Sequence, residues 1–337
     1  MIEILSSTEL VTVQDAGRRD LRRFGVGAAG ALDVLALNVG NTLVGNAHDA
    51  AAIELLASPL TLRFTIDTAF AITGADAGAK LAGSPVPPWW TMTAPAGAEL
   101  VLRPGQRGLS TYIAFAGGIC VPLVLGSRST DVKTGFGGLN GRPLAAGDRL
   151  SLGDAAMAAP AAGGPGFGVK PSQAALPAAL PLGAGMTALR ALPAAQHELF
   201  SQEARAIFWE SDWTVRPDSN RMGLRLAGPD LVPQQRQELL SHGILPGVVQ
   251  VPPSGQPIIQ ASDANTCGGY PKMAVVIGAD LWRLGQLRPG GTLRFVRVEP
   301  ADAMAALEEQ RSYLASVARA AAIARQLGSR VERRASI

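Results

Sequence analysis

Short runs in which apolar residues alternate with polar or β-branched residues recur along the chain, and turns rich in glycine, proline and aspartate separate them. In the first half these runs are residues 60–66, 99–103, 111–115 and 149–152. Alternation with a period of two is typical of β-strands with one buried face. One helix interrupts the strands, because Asp33 can cap it and apolar residues follow up to Gly45. We expect this helix to close one end of a small barrel.

The second half has a similar pattern. Strands are predicted at residues 187–192, 221–226, 248–251, 258–260, 273–277 and 292–298, and short helices near 195–208 and 280–287. A last helix should begin near Pro300, since proline needs no N–H partner in a first helical turn, and its apolar residues recur as far as residue 325. The pattern predicts a mainly β fold with a few short helices and a C-terminal helix.

Composition suggests where the domains meet. Between residues 154 and 186 charge nearly vanishes and alanine, glycine and proline dominate, which is typical of a linker. The length of 337 residues favours two domains. We therefore expect a barrel-like domain at 1–153, a linker at 154–186, a second barrel at 187–300, and a helix with a tail at 301–337.

Charge and targeting signals narrow the class of protein. The formal net charge is only +3, and no block of lysine and arginine is interleaved with aromatic residues, so nucleic acid is not expected as a partner. The N-terminus lacks the order of a signal peptide, and no apolar run reaches the length of about 18 residues that a membrane span needs. We expect a cytoplasmic protein. Its two cysteines and three histidines are scattered, and their spacing predicts no metal site.

Nucleotide-binding motifs are missing from the sequence. No G-x-x-x-x-G-K-[ST] segment occurs, so no phosphate-binding loop for ATP is visible. Gly135, Gly137 and Gly138 resemble half of a dinucleotide-binding loop. We reject that interpretation because no strand–helix–strand context surrounds them.

Four polar segments remain as candidates for chemistry: residues 13–18, residues 115–119 with 126–131, residues 219–223, and residues 246–272. In the second segment Ser127, Arg128, Ser129 and Thr130 follow a glycine and could bind a carboxylate or a carbonyl group. In the third, Arg221 is either a surface residue or an anion ligand. Each segment could equally be a turn whose polar groups satisfy one another.

Residues 246–272 are the most informative stretch. Two short strands end in a polar run that closes on Gly268 and Gly269, and glycines at a strand end let the backbone approach a ligand closely. Asp263 could accept or orient a proton, and Lys272 or Tyr270 could polarise a carbonyl group. An ordinary hairpin loop remains the alternative.

Several motifs, taken in order, resemble one family over residues 13 to about 298. They are VQDAGRRDLRRFGVGAAGALD at 13–33, NTLVGN at 41–46, ITGAD at 72–76, FAGGI, LGSRSTD, SNRMGLRLAGP at 219–229, GVVQVPPSGQPII, DANTCGGYPK, and LRPGGTLRF at 287–295. Each motif is weak alone, but their order is specific. The chain resembles the allophanate hydrolase subunit 2 family, also called KipA-like or biotin-dependent carboxyltransferase proteins. The resemblance implies a pair of cyclophilin-like β-barrel units.

The resemblance also implies a function. It points to the C subunit type of an ATP-dependent 5-oxoprolinase, which would open 5-oxo-L-proline to L-glutamate and would be active only with partner proteins. Those partners would be a subunit 1 or KipI-like protein, as the B subunit, and a LamB/YcsF-like protein, as the A subunit. The complex would use ATP at a site not visible in this sequence. One alternative is half of a biotin-dependent carboxyltransferase acting on urea or a related amide, and another is a KipA-like regulatory protein without catalysis.

The family motifs supply candidate cleft residues but leave their individual roles unassigned. These residues are Ser127, Arg128, Ser129, Thr130, Arg221, Gln250, Asp263, Thr266, Gly268, Gly269, Tyr270 and Lys272. From their chemistry we expect Asp263, Tyr270 and Lys272 to be catalytic, and the others, together with Gly118, to bind substrate. The chain departs from the usual family pattern at residues 265–267 and at Leu32; the first departure touches the expected cleft and leaves the substrate open.

Overall fold

The computed structural model describes residues 1–105, 107–155, 166–172, 185–232 and 239–335. These residues form two compact units. Unit 1 contains residues 1–18, those described between 29 and 172, and those from 311 onward; unit 2 contains residues 19–28 and those described from 185 to 310. Most of the expected linker, at 156–165 and 173–184, lies outside the described residues. Within its described part, Phe167–Gly168 forms a short strand.

Unit 1 is built from twelve of the described strands. They are β1 Ile2–Ser6, β2 Val11–Gln14, β3 Ala52–Leu56, β4 Leu60–Phe64, β5 Thr68–Gly74, β6 Lys80–Leu81, β7 Ser84–Pro85, β8 Trp90–Ala94, β9 Glu99–Leu102, β10 Ser110–Phe115, β11 Arg149–Leu150 and β12 Phe167–Gly168. They form two six-stranded sheets, ordered β11-β1-β4-β9-β6-β7 and β12-β8-β5-β10-β3-β2. Their described pairings are antiparallel.

The main core of unit 1 is shared by its two sheets. Phe64 of β4 packs against Phe70 of β5 with ring centroids 5.2 Å apart and against Phe115 of β10 at 6.1 Å. Along β5 and β10 the residues of this core alternate with residues of a second cluster. Successive side chains of a strand point to opposite faces, so the second sheet is buried on both sides.

Helix α1, Val34–Val44, covers the second face of that sheet. Small residues there, among them Ala71 and Ala114, let the helix approach closely: a Cβ atom at Gly40 would lie 3.0 Å from Oγ1 of Thr73. Asp33 accepts a hydrogen bond from the backbone N–H of Ala36 and caps the helix, as predicted. The expectation that the helix closes a barrel end was wrong, because α1 packs on the alanine-rich face of the second sheet instead.

A buried polar network fixes the start of α1. The Tyr112 hydroxyl donates to Oε2 of Glu54 at 2.6 Å and accepts from the backbone N–H of Asp33 at 2.8 Å. The N–H of Leu32 donates to the same Glu54 oxygen. Burial, together with the Glu54 charge, raises the pKa of Tyr112 well above its usual value.

Unit 2 contains a closed barrel and a separate two-stranded sheet. Its strands are β13 Thr187–Pro193, β14 Trp213–Val215, β15 Gly223–Ala227, β16 His242–Gly243, β17 Val248–Gln250, β18 Ile258–Gln260, β19 Cys267–Gly268, β20 Lys272–Val276 and β21 Thr292–Arg297. Seven of them close in the order β13-β20-β17-β18-β15-β14-β21, while β16 and β19 pair separately. Closure removes the exposed edges of the barrel sheet.

Three further α-helices occur among the described residues: α2 Gln202–Glu210, α3 Leu281–Leu284 and α4 Pro300–Ala335. Phe208 of α2 stacks on Phe295 of β21 with ring centroids 4.4 Å apart. Asp280, before α3, is fully buried and accepts from Arg190 and Arg283. Helix α4 begins at Pro300, as predicted. No helix in the described part of the chain combines the length and apolarity needed to cross a membrane.

The mainly β fold with a barrel, a few helices and a C-terminal helix is confirmed. The strand at residues 258–260 is observed with the predicted bounds, and the others differ by a few residues at their ends. The pattern located ten of the 21 strands found among the described residues. Strands of two or three residues, such as β7 and β14, are too short to show a clear alternation.

Replacing Asp33 with alanine should destabilise unit 1. The change leaves the N–H of Ala36 without its acceptor at a buried helix start, so we expect a loss of about 1–2 kcal/mol in the free energy of unfolding. Chemical denaturation monitored by circular dichroism measures this loss. The exposed Asp49 provides a matched control, and Asp49→Ala should change stability by less than about 0.5 kcal/mol. Equal losses in the two variants would contradict the capping role.

Candidate functional site

Two neighbouring barrel strands of unit 2 place a pair of glutamine side chains in contact. Nε2 of Gln260, at the end of β18, donates to Oε1 of Gln250, at the end of β17, at 3.0 Å. Nε2 of Gln250 in turn donates to the carbonyl oxygen of Tyr270 at 3.2 Å. Both side chains are buried, and this chain of amides fixes the backbone just before β20.

Lys272 begins β20 and is 6% exposed. Its backbone pairs with that of Gln250, and its Nζ atom forms a hydrogen bond with Nε2 of His242. Burial lowers the pKa of Lys272 from its usual value. Among the described residues, no carboxylate forms an ion pair with this lysine.

The hydrogen bonds of His242 define its tautomer. Its Nδ1 atom lies 2.9 Å from the carbonyl oxygen of Leu240, and a carbonyl can only accept, so Nδ1 carries the hydrogen. In a neutral ring Nε2 is then the acceptor, and the ammonium group of Lys272 is the donor. The imidazole therefore holds the lysine without neutralising its charge.

The short β16–β19 ladder lies beside these groups. It pairs His242 with Gly268 and Gly243 with Cys267. A Cβ atom at Gly268 would lie 2.9 Å from Nε2 of Gln250, so any larger residue would displace the amide chain. Tyr270 follows this ladder and is 47% exposed, which leaves its ring at the surface.

Arg221 and Asp263 form a two-point ion pair in unit 2. Nε of Arg221 donates to one carboxylate oxygen at 2.8 Å and Nη2 donates to the other at 3.0 Å. The backbone N–H of Asp263 also donates to the carbonyl oxygen of Arg221 at 2.9 Å. Both side chains are largely buried. The pair fixes the loop between β18 and β19, which carries Thr266.

In unit 1 the carboxylate of Asp15 gathers four donors. Its Oδ1 accepts from the backbone N–H of Gly17 and from the hydroxyls of Ser127 and Ser129, and its Oδ2 accepts from the backbone N–H of Arg128. The distances are 2.5–2.8 Å. Asp15, Ser127 and Ser129 are buried, so this carboxylate joins two loops.

Further contacts complete this arrangement. The Thr130 hydroxyl donates to the carbonyl oxygen of Val13 at 2.9 Å. Nη2 of Arg18 donates to the carbonyl oxygen of Ser129 at 2.8 Å, and a Cβ atom at Gly137 would overlap both groups. Nε of Arg128 donates to the carbonyl oxygen of Val121, and its side chain is partly exposed.

Comparison with known proteins identifies the family. Residues 24–297 match the family described as carboxyltransferase domain, subdomain A and B. The chain belongs to this carboxyltransferase family. It is 42% identical over 318 residues to the C subunit of 5-oxoprolinase from Escherichia coli, covering 94% of this chain and 98% of that protein. It is 32% identical over 309 residues to the urea amidolyase of Lachancea kluyveri, covering 88% of this chain and 17% of that protein.

Solved structures agree with this family assignment. A crystal structure of TTHA0988 superposes with a TM-score of 0.76 at 32% identity, covering 88% of this chain. The K. lactis urea amidolyase superposes with a TM-score of 0.84 at 27% identity, covering 94%. This chain spans 56% of the TTHA0988 chain and 20% of the urea amidolyase chain. The carboxyltransferase fold therefore also occurs inside longer polypeptides.

The structure groups the predicted site residues by unit. In unit 2 it brings Gln250, Gly268, Tyr270 and Lys272 together, with Arg221, Asp263, Thr266 and Gly269 in the adjoining loops. In unit 1, Ser127, Arg128, Ser129 and Thr130 lie around Asp15 and Val13, while Gly118 follows β10. The hydroxyls of Ser127, Ser129 and Thr130 are buried and engaged with the protein.

Sequence reasoning missed His242 and Gln260. The spacing of His242 does not fit a metal site. Its role as an acceptor for Lys272 depends on the pairing of β16 with β19, which the pattern did not predict. Gln260 was assigned only to a strand. A polar residue at the end of an apolar strand, as Gln250 also is, was the available signal. Within the described residues, no three potential ligand side chains come together as metal ligands would.

Replacing Asp15 with asparagine should destabilise unit 1 more than a comparable surface change. In the asparagine variant an NH2 group takes the place of one carboxylate oxygen, and this new donor faces a group that is itself a donor. We therefore expect a loss of about 2–3 kcal/mol in the free energy of unfolding. Asp67→Asn is the matched control, because Asp67 is exposed and accepts one backbone N–H, from Ala96. Denaturant titration compares them, and equal losses would show that Asp15 does not organise the loops.

Proposed function

We propose that this chain is the C subunit of an ATP-dependent 5-oxoprolinase complex that converts 5-oxo-L-proline to L-glutamate. The observation that carries the proposal is the 42% identity to the E. coli protein of that name, which covers 94% of this chain and 98% of the relative. Because the similarity extends over nearly the whole of both chains, it favours a shared function over the sharing of a single domain by otherwise different proteins. The urea amidolyase of Lachancea kluyveri, in contrast, matches this chain over only 17% of its own length.

The reaction breaks the C–N bond of a lactam. The carbonyl carbon gains the oxygen of a water molecule, the ring nitrogen gains a proton, and ATP hydrolysis drives the step. Negative charge develops on the carbonyl oxygen as the amide is activated, and a fixed cationic donor there lowers the barrier. Lys272 supplies such a donor in this proposal, because the residue is largely buried and its ammonium group is held by an acceptor nitrogen of His242.

The remaining predicted residues have supporting roles in this proposal. The amide chain of Gln260 and Gln250 fixes the backbone on which Lys272 is mounted. Gly268 leaves room for the amide chain, and the exposed hydroxyl of Tyr270 polarises the substrate carbonyl from the surface side. Both oxygens of Asp263 are engaged by Arg221, which favours positioning of the Thr266 loop over direct proton transfer.

The proposal requires partner proteins. The name of the E. coli and Haemophilus influenzae relatives designates one of several subunits. We propose a KipI-like protein as the B subunit and a LamB/YcsF-like protein as the A subunit, with ATP bound in the complex outside the motifs of this chain. We also place the complex in the cytoplasm, where ATP is available.

A second candidate is half of a biotin-dependent carboxyltransferase acting on urea or a related amide. The family description and the urea amidolyase relatives favour it. In that reaction biotin, carried on another chain, delivers a carboxyl group to an amide nitrogen, and the same donors stabilise charge on the amide oxygen. A third candidate, KipA-like regulation without catalysis, needs partner binding only.

Reconstitution tests the proposed activity. The purified chain alone should not convert labelled 5-oxoproline, whereas addition of the A and B subunits with ATP should yield labelled glutamate and ADP. Chromatography of the labelled products measures the conversion. Absence of glutamate from the complete mixture would contradict the proposal. Carboxylation of urea by carboxylated biotin would then support the second candidate, and stable partner binding without turnover would support the third.

The pH dependence of the complex should report Lys272. If its ammonium group is the donor, kcat/KM falls as pH rises through the lysine pKa, which burial places below the usual value of 10.5. Lys272→Arg should reduce activity and remove this alkaline limb, because arginine keeps its proton at these pH values. Exposed Lys80 is the control, and Lys80→Arg should retain the wild-type profile. An unchanged limb in Lys272→Arg would assign it to another group.

A further inference from the structure

Arg22 connects two backbone segments of the candidate site. It begins a single 3-10 turn, Arg22–Phe24, and belongs to unit 2. Its Nη2 group donates to the carbonyl oxygens of Ile244 at 2.6 Å and Asn265 at 2.7 Å. The backbone N–H of Ile244 donates in turn to the carbonyl oxygen of Thr266 at 3.1 Å. Arg22 therefore lies directly against the loop that carries Asp263 and Thr266.

The rest of the Arg22 guanidinium has unused donors. Its Nε and Nη1 atoms are shielded from solvent and have no hydrogen-bond partner among the described residues. No carboxylate of that part of the chain forms an ion pair with it. Burial lowers the pKa of Arg22 from its usual value. Buried donors nearly always have acceptors and buried charges nearly always have counter-ions, so this arrangement favours an anionic ligand.

The charges of the neighbouring groups point the same way. Asp263, in the adjoining loop, is paired with Arg221. Among the described residues no carboxylate forms an ion pair with Arg22 or Lys272. The Nη2 contacts hold the Arg22 guanidinium in place before any ligand binds, which reduces the ordering cost of recognition. A small anion therefore gains more here than an uncharged molecule of the same shape.

We propose that Arg22 binds the carboxylate of the substrate through the N–H groups of Nη1 and so selects lactams that carry a carboxylate. The inference rests on the proposed 5-oxoprolinase function, since 5-oxoproline has one carboxylate apart from its reacting amide. Lys272 and Arg22 then have separate tasks: the lysine acts on the amide oxygen, and the arginine recognises the charge.

Arg22→Gln in the reconstituted complex tests this role. The KM for 5-oxoproline should rise about 10- to 100-fold with the loss of a charged hydrogen bond, while kcat changes by less than about 3-fold. The inhibition constant of 2-pyrrolidinone, the same lactam without its carboxylate, should stay within about 3-fold of wild type, because it cannot use this bond. Arg23→Gln is the matched control: Arg23 is exposed and lies over the Phe24 ring, and neither constant should change.

If Arg22→Gln raises the KM for 5-oxoproline and the inhibition constant of 2-pyrrolidinone by the same factor, the inference is overturned. Arg22 would then only hold the backbone at Ile244 and Asn265. Arg22→Lys adds a second test, because it keeps the charge and should retain part of the preference for 5-oxoproline over 2-pyrrolidinone. Failure of the wild-type complex to convert 5-oxoproline would refute the proposed function instead. In that event calorimetric titration of the whole chain with the two lactams still decides whether Arg22 prefers the carboxylate; equal binding would reject the preference.

Discussion

The candidate site depends on a lysine that is almost withdrawn from water and whose ammonium group has only an imidazole as its hydrogen-bond partner among the described groups. Burial of an ammonium group is costly, because the charged form loses hydration. The barrel tolerates that cost since the ladder between β17 and β20 sets the backbone of Lys272 and the carbonyl oxygen of Leu240 sets the ring of His242. A lysine held in this way is fixed in position while its charge remains available to a ligand.

Both units satisfy buried polar groups at the ends of strands, but they do so differently. Unit 1 has a carboxylate at the centre, where both oxygens of Asp15 accept from hydroxyl and backbone donors. Unit 2 has amides, an imidazole and guanidinium groups, and of these Arg22 keeps two shielded donors, on Nε and Nη1, that have no hydrogen-bond partner among the described residues. A satisfied carboxylate stabilises the loops it joins, whereas donors left without an acceptor are suited to binding. The donors of Arg22 are the reason for placing the proposed recognition of substrate charge in unit 2.

The family relationship explains why rigid backbone matters here. Amide chemistry in carboxyltransferases and lactam hydrolysis both need donors aimed at an oxygen that gains charge, and such donors help most when they are already in place. The close approach of Gly268 to Gln250 and the two-point bond between Arg221 and Asp263 restrict the loops that carry the candidate residues. A fold of this kind supplies a rigid frame, and the chemistry depends on the residues that its loops carry.

The sequence by itself determined ten of the described strands, the Asp33 cap, the start of the last helix at Pro300 and the family, because each depends on local pattern or on ordered motifs. Only the tertiary structure placed α1 on a sheet face, since that face is formed by alanines from separate strands. It alone joined Asp15 to Ser127, 112 residues apart, and Arg22 to Ile244, 222 residues apart. No local pattern encodes such contacts, because a hydrogen bond between distant segments depends on how strands pair, and that pairing is decided by burial of the whole core.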